Sequence, residues 1–190
     1  MKVTRRAILL LTVAIIALAA SDGFKTSAAS LKSVAAARQP NIGVKSYSSL
    51  EKAQRGRTVQ AAVVLEIPKG YHVNSNRPTG KYLVPTSVKI EVGDNVKVGA
   101  VNYPKPLVRT FSFSEEKLSV YEGRAVMRFN LTIPQGFPHS KMLVKARVKY
   151  QSCSDSECYP PVTRDTELWI GIAADNETVK RANTNIFGKG

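Results

Sequence analysis

The chain has 190 residues, a formal net charge of +14, and hydrophobic residues at 43% of its positions. This length is enough for one domain with a substantial core, but not for two. The basic residues are dispersed: Lys145, Arg147 and Lys149 alternate with apolar residues, and no run of five or more Lys or Arg occurs. We therefore interpret the charge as a basic, solvated surface and expect no nucleic-acid partner.

The first 20 residues have the pattern of a secretory signal peptide. A short basic start, MKVTRR, precedes the apolar or small residues 7–20, and a serine follows them. The apolar run is shorter than the ~18 residues that a membrane-spanning helix usually needs. The sequence therefore predicts export with cleavage near residues 19–21, a periplasmic or secreted protein, and no stable membrane insertion after cleavage.

The rest of the chain divides into three parts by composition. Residues 21–55 are rich in Ala, Ser, Lys and Gln with little periodicity, which is typical of a linker or flexible arm. Regular alternation begins near residue 56 and ends near residue 175, so we predict one domain there. Residues 176–190 remain as a C-terminal tail.

The domain is predicted to be all-β. Apolar and polar residues alternate in five segments, bounded by Pro, Gly, Asn or Asp: 59–67, 88–92, 125–133, 144–150 and 166–172. Alternation with a period of two is the signature of strands with one buried face. The spacing of strands and turns favours an immunoglobulin-like antiparallel β-sandwich. Trp169 lies within the last segment, and we assign its side chain to the core.

The only two cysteines, Cys153 and Cys158, flank the four residues Ser-Asp-Ser-Glu. Strand-like segments on both sides place them at the tip of one hairpin. Opposed residues of antiparallel strands have Cα atoms ~4.5–5.5 Å apart, so a disulfide is feasible there. Such a short loop contributes only about 2 kcal/mol by chain entropy. A disulfide here would add little stability and would lie at a loop tip that a partner protein can reach, which favours thiol–disulfide exchange. A purely structural disulfide is the alternative.

Metal binding is the weaker interpretation of these cysteines. His72 and His139 could complete a ligand set with Cys153 and Cys158, but the histidines are distant and unspaced. Structural zinc and copper sites use more regular ligand spacing. We therefore expect no metal site and no cofactor.

The residues around the cysteines resemble a known family. Tyr150-Gln151-Ser152-Cys153, with Cys158-Tyr159-Pro160-Pro161, is similar to the active hairpin of the N-terminal periplasmic domain of DsbD thiol:disulfide interchange proteins. Segments 67–74 and 120–123 resemble other parts of that domain, and the similarity covers residues 56–173. The resemblance implies an immunoglobulin-like fold whose two cysteines relay electrons. Cys158 would form the mixed disulfide with partners, and Cys153 would resolve it.

The same resemblance implies an aromatic surround for the disulfide. Tyr71 matches a tyrosine-rich segment of the family, whereas His72 and Asn74 stand where further tyrosines are expected. An aromatic cap is expected between residues 110 and 121, where the candidates are Phe111, Phe113 and Leu118. The residues that we expect around the site are Tyr71, His72, Phe111, Phe113 and Tyr159.

Two functions from different classes follow. The first is a periplasmic thiol–disulfide exchange module that relays electrons to or from thioredoxin-like periplasmic proteins or a membrane electron transporter. The 190 residues contain no counterpart of the family's membrane or thioredoxin domains, so we expect a redox role to need other proteins. The chain could serve as a protein-disulfide reductase component, and its own enzymatic status and oligomeric state stay open. The alternative is a non-catalytic immunoglobulin-like binding or assembly module with a structural disulfide.

Overall fold

The computed structural model describes residues 39–188. The predicted signal peptide and residues 21–38 of the predicted arm lie outside the described residues. The described strands, in chain order, are Gly43–Ser48 (β1), Lys52–Ala53 (β2), Thr58–Glu66 (β3), His72–Asn74 (β4), Ser87–Val92 (β5), Lys97–Val98 (β6), Leu107–Arg109 (β7), Leu118–Tyr121 (β8), Arg124–Thr132 (β9), Lys141–Tyr150 (β10), Ser152–Cys153 (β11) and Val162–Ile172 (β12). The single helix of this part, Thr184–Phe187 (α1), has four residues. Nothing in residues 39–188 reaches the length and hydropathy of a membrane-spanning helix.

The strands form three four-stranded sheets. The first has the order β1-β3-β9-β6, the second β2-β12-β10-β5, and the third β11-β4-β8-β7. Neighbouring strands are antiparallel, except that β2 runs parallel to β12. The third sheet consists of short strands and contains Cys153, to which Cys158 is joined by an isolated antiparallel bridge.

The first and second sheets, which contain the long strands, enclose one core. Alternate residues of β3 and β9, such as Leu65 and Phe129, enter it from one side, and alternate residues of β10 and β12, such as Val148 and Ile170, enter it from the other. This arrangement follows from the strand period of two, which turns every second side chain to the same face. The predicted all-β, immunoglobulin-like antiparallel sandwich is confirmed.

The prediction of a linker or flexible arm over residues 21–55 was wrong for residues 43–48 and 52–53, which form strands. Residues 43–48 form β1, which pairs along β3 from Gly43↔Glu66 to Ser48↔Ala61, and residues 52–53 form β2 beside β12. The register puts Ser46 and Ser48 opposite Val63 and Ala61, on the core side of the sheet. Because serines occupy these inward positions, β1 shows no apolar alternation, and the sequence pattern missed it.

The predicted C-terminal tail packs against the first sheet in its described part. The backbone N–H of Ala182 donates to the carbonyl oxygen of Ser49 at 2.9 Å. Further along, Ile186 of α1 is buried against Ala62 and Val64 on the outer face of β3. The C-terminal segment therefore covers apolar side chains that the sandwich core cannot accommodate.

The assignment of Trp169 to the core was also wrong. Its side chain is 55% exposed, and the Lys141 ammonium lies 4.6 Å from the centre of its ring. The inward positions of β12 are instead Leu168, Ile170 and Ile172. Trp169 consequently lies on the outer face of the second sheet, stacked with a cation.

Replacing Ile186 with alanine tests the contribution of the C-terminal segment. We expect the I186A substitution to lower the free energy of unfolding by roughly 2–4 kcal/mol, because it removes a buried side chain and leaves a cavity over β3. The V108A substitution is the control, since Val108 is 60% exposed, and it should change stability by less than about 0.5 kcal/mol. Urea denaturation measures both. Equal midpoints for the two variants would contradict a packing role for Ile186.

Candidate functional site

The site begins where the chain passes from one sheet to another. β10 belongs to the second sheet and β11 to the third, and only Gln151 separates them. The Gln151 side-chain oxygen accepts hydrogen bonds from Asn74 Nδ2 at 3.0 Å and from the Val84 N–H at 3.1 Å. Its amide nitrogen donates to the Tyr159 carbonyl at 3.2 Å. One side chain thus joins β4, the loop after it and the return strand of the hairpin.

The two cysteines are joined in a disulfide at the hairpin tip. They oppose one another in an antiparallel bridge, with Cα atoms 3.9 Å apart, which is closer than the ~4.5–5.5 Å expected for opposed residues. The Ser154 N–H donates to the Glu157 carbonyl at 2.8 Å and closes the loop between them. The hairpin predicted from the cysteine spacing is present.

The two sulfur-bearing residues differ in exposure. Cys153 is completely buried, at 0% exposure, whereas Cys158 is half-buried. Cys153 lies within β11, between β4 and the tip, while Cys158 lies on the outer, returning side of the hairpin. A protein approaching the tip therefore has access to Cys158 before Cys153.

His72 lies directly across the strand pair from Cys153. The register of β4 and β11 pairs these two residues, and His72 is only 2% exposed. Its ring stacks on Phe111, with centroids 4.0 Å apart and ring planes inclined by 17°. The Phe113 ring lies beside both, 5.4 Å from Phe111 and 6.4 Å from His72 between centroids. The site residues His72, Phe111 and Phe113 are thus brought together beside Cys153.

The two phenylalanines belong to a loop between β7 and β8, residues 110–117, which we call the cap loop. Its Ser112 hydroxyl donates to the Asp155 carbonyl in the hairpin tip at 2.8 Å. Of the three cap candidates, Phe111 and Phe113 lie in this loop, whereas Leu118 is buried in β8. The cap loop is therefore hydrogen-bonded to the hairpin at one point and stacked on His72 at another.

Burial sets the ionisation of His72. Desolvation lowers the pKa of the imidazole, while the carboxylates of Glu122 and Asp155 raise it by a smaller amount. The ring Nε2 is buried without a hydrogen-bond partner. A buried polar atom without a partner is uncommon in folded proteins. The lowered pKa keeps this imidazole neutral at pH 7.

Tyr71 and Tyr159 form a second aromatic contact at the hairpin. Their ring centroids are 6.2 Å apart with an angle of 49° between the planes. Tyr159 is buried, and desolvation raises the pKa of its phenol. Its N–H donates to the Ser152 carbonyl at 2.9 Å, which ties this tyrosine to β11. The five residues expected around the disulfide therefore lie on the hairpin or on elements that contact it.

Sequence reasoning missed the hydrogen-bonding residues of the site. Asn74 is fully buried, and Thr86 Oγ1 donates to its carbonyl at 2.6 Å. The cysteine motif contains Gln151, but the motif alone assigns it no hydrogen-bonding role. The available signal was its position directly between a regular strand and the first cysteine, where a change of direction needs hydrogen-bonding partners.

The four candidate metal ligands do not converge. His139 Nε2 lies 3.6 Å from Asp94 Oδ1, on the loop between β9 and β10, while His72 lies at the disulfide. Among residues 39–188, no three His, Cys, Asp or Glu side chains are arranged to hold a metal ion. The chemistry that this site offers is that of its sulfur atoms and the neighbouring imidazole.

The sandwich and its tip define a class: an immunoglobulin-like domain that carries a disulfide hairpin beneath an aromatic loop. The family model described as "Thiol:disulfide interchange protein DsbD, N-terminal" matches residues 45–169. The chain belongs to this family. The match starts within β1, in agreement with the corrected start of the domain. No curated protein matches the chain.

Three solved structures illustrate the similarity. The reduced DsbD N-terminal domain of Neisseria meningitidis is 20% identical, with 72% of this chain and 89% of that chain covered and a TM-score of 0.35. The N-terminal periplasmic domain of ScsB from Proteus mirabilis is 13% identical, with 68% and 44% covered and a TM-score of 0.40. A family 123 glycoside hydrolase from Clostridium perfringens is 12% identical, with 69% and 27% covered and a TM-score of 0.34. All three TM-scores are below 0.5.

The burial of His72 predicts a pH dependence of stability. The pKa of His72 is lowered in the folded protein from its ordinary value of 6.5. Below about pH 6.5 the unfolded chain binds a proton that the folded chain does not, so the free energy of unfolding should fall as the pH decreases. Above that pH both states are neutral at this group, and it should contribute no slope.

Urea denaturation between about pH 5 and pH 8 measures this effect. The H72F substitution keeps an aromatic ring in the stack and should remove this part of the acid-side slope. The only other histidine, His139, has a side chain that is 60% exposed, so H139F is the matched control and should retain the slope. Identical slopes in the wild type and H72F would show that His72 does not titrate as described.

Proposed function

We propose that this protein is a thiol–disulfide exchange module that relays electrons through the Cys153–Cys158 disulfide. The observation that carries the proposal is the unequal exposure of the two cysteines, one completely buried and one half-buried. Exchange between proteins requires one sulfur that a partner thiolate can reach and a second sulfur held for intramolecular resolution. Membership of the DsbD N-terminal family supports the same class of reaction.

The proposed reaction has two steps. In the reducing direction, a partner thiolate attacks Cys158 Sγ, the Cys153–Cys158 bond breaks, and Cys153 leaves as a thiolate that takes up a proton. A second thiol of the partner then attacks the partner's own sulfur in the mixed disulfide, which releases Cys158 as a thiolate. The module gains two electrons and the partner becomes a disulfide. The oxidising direction is the reverse, with Cys153 attacking Cys158 Sγ to release a reduced partner.

The surroundings of the disulfide fit a site that reacts selectively. Phe111 and Phe113 stack on the ring of His72. His72 is the residue of β4 that lies directly opposite Cys153 of β11. Apolar rings exclude small aqueous thiols and oxidants, whereas a protein partner can rearrange a surface loop through its own contacts. The proposed partners are thioredoxin-like periplasmic proteins or a membrane electron transporter, and the proposed location is the periplasm.

A static disulfide in a binding or assembly module is the competing function. The two are separated by reduction potential, because structural disulfides of exported proteins have potentials below about −300 mV. Equilibration of the protein with dithiothreitol mixtures, followed by alkylation and mass measurement, gives this value. We expect a potential above that limit.

Trapping of partners tests the proposed roles of the cysteines. The C153S variant lacks the resolving thiol, so mixed disulfides through Cys158 should accumulate in periplasmic extracts of the producing cells. Non-reducing electrophoresis and mass spectrometry measure the adducts. The C158S variant is the matched control, because its remaining thiol at Cys153 is buried, and it should give few or none. Equal trapping by both variants, or by neither, would overturn the proposal.

The cap loop gives a second prediction. The F111A substitution removes the ring that stacks directly on His72, so dithiothreitol should reduce the disulfide several times faster than in the wild type. F113A is the comparison, since the Phe113 ring lies farther from His72, with 6.4 Å between the ring centroids, and its effect should be smaller. Reduction rates are followed by alkylation of the freed thiols. Unchanged rates in both variants would show that the rings do not shield the disulfide.

A further inference from the structure

We propose that His72 is the proton acceptor for Cys153 when this buried thiol resolves a mixed disulfide on Cys158. The inference rests on the proposed function, because it assigns a role within that exchange. It gives the buried side chain opposite Cys153 an acid–base role.

The strand register brings the side chains of His72 and Cys153 to the same face of the β4–β11 pair. Directly opposed residues of antiparallel strands project to the same face, with Cβ atoms about 4.5–5.5 Å apart, and His72 is directly opposed to Cys153. A histidine side chain spans that gap easily. Its Nε2 is buried and has no hydrogen-bond partner, so a lone pair is available in the neutral ring that has its proton on the other nitrogen.

The burial of Cys153 creates the need for such a group. A thiol must lose its proton before it attacks a disulfide, because the thiolate is the nucleophile. Cys153 has 0% exposure, so bulk water does not reach it to take the proton. An adjacent base that is neutral at pH 7 can take it without solvent, and the resulting imidazolium lies next to the thiolate that it pairs with.

The charged groups that face His72 come from three elements. Glu122, directly after β8, and Asp155, in the hairpin tip, both favour the protonated ring. Arg109 of β7 pairs with Glu122 through bonds of 2.9 and 3.3 Å and offsets part of its charge. Desolvation outweighs the carboxylates at rest. Before the reaction the ring is therefore neutral and can accept a proton. Once the imidazolium forms, the carboxylates of Glu122 and Asp155 stabilise it.

The resolving step moves one proton to His72 and one electron pair from Cys153 to the partner sulfur. Cys153 Sγ–H transfers its proton to the His72 imidazole, and the thiolate electron pair attacks Cys158 Sγ in the mixed disulfide. The bond between Cys158 and the partner sulfur breaks, and the partner leaves with that electron pair as a thiolate. The imidazolium then returns its proton to the leaving thiolate or to water. The module loses two electrons, the partner gains them, and the histidine is regenerated.

Single-turnover oxidation of the reduced protein tests this role. The probe is the symmetrical disulfide of thionitrobenzoate, supplied at one equivalent and followed by stopped-flow absorbance. The first thionitrobenzoate ion is released when Cys158 attacks the reagent, and the second when Cys153 resolves the mixed disulfide. The rate of the second phase, which is independent of reagent concentration, is measured from about pH 5 to pH 8.

We expect the second phase of the wild type to be slow in acid and to level off once the imidazole is neutral. In the H72F and H72Q variants, which lack the base, the second phase should be slower by roughly 100-fold at neutral pH. It should also rise with pH across the whole range, because hydroxide must then remove the proton. The first phase should be unchanged, and H139Q should behave like the wild type.

The outcomes separate this inference from the proposed function. A second phase in H72F with the rate and pH profile of the wild type would overturn the role of His72 while leaving the exchange reaction intact. A slower second phase with an unaltered pH profile would also overturn it, because that result indicates packing alone. If the variants fail to fold, a wild-type second phase that keeps rising through pH 8 overturns it. Release of only one ion by the wild type, as expected for C153S, would instead reject the resolving role of Cys153.

Discussion

The candidate site depends on the change of sheet at Gln151. β10 lies in one large sheet with its even-numbered side chains in the core, and two residues later the chain is paired with β4 in a different sheet. Such a transition leaves backbone and side-chain polar groups without strand partners, and these groups are costly when buried. Gln151 satisfies three of them at once, on Asn74, Val84 and Tyr159. Together with the pairing of β11 and β4, this set of bonds fixes the orientation of the cysteine hairpin relative to the sandwich.

That orientation gives the disulfide its asymmetry. Because β11 is the edge strand of the third sheet, Cys153 is covered on one side by β4, while Cys158 returns along the open side. The same pairing puts His72 opposite the buried Cys153, and the cap loop stacks on the His72 ring. A domain of this size gains little stability from so short a disulfide loop. Buried polar and aromatic side chains nevertheless surround this disulfide. Control of its reactivity explains their presence better than a stabilising role does.

The strong alternation of apolar and polar residues made most long strands predictable from the sequence. The remaining features depend on contacts between distant parts of the chain. The segments that became β3, β9 and β10 each turn every second side chain, which is apolar, to the core, so their strand character is local. β1 lacked that signal because Ser46 and Ser48 face inward, and its existence depends on pairing with β3. At the site, the sequence predicted the hairpin and the loop that contains Phe111. It could not predict that His72 stacks beneath that ring or that Gln151 acts as a junction, because both depend on long-range register.

The outward position of Trp169 has a practical consequence for spectroscopy. It is the only tryptophan of the chain, and it pairs with Leu143, seven residues along β10 from Tyr150. At a rise of ~3.4 Å per residue this separation is roughly 24 Å, and the disulfide lies beyond it. Sulfur quenches indole emission only at short range, so intrinsic fluorescence will follow the unfolding of the sandwich and not the oxidation state of the cysteines. The tyrosines near the hairpin are the natural reporters of that state.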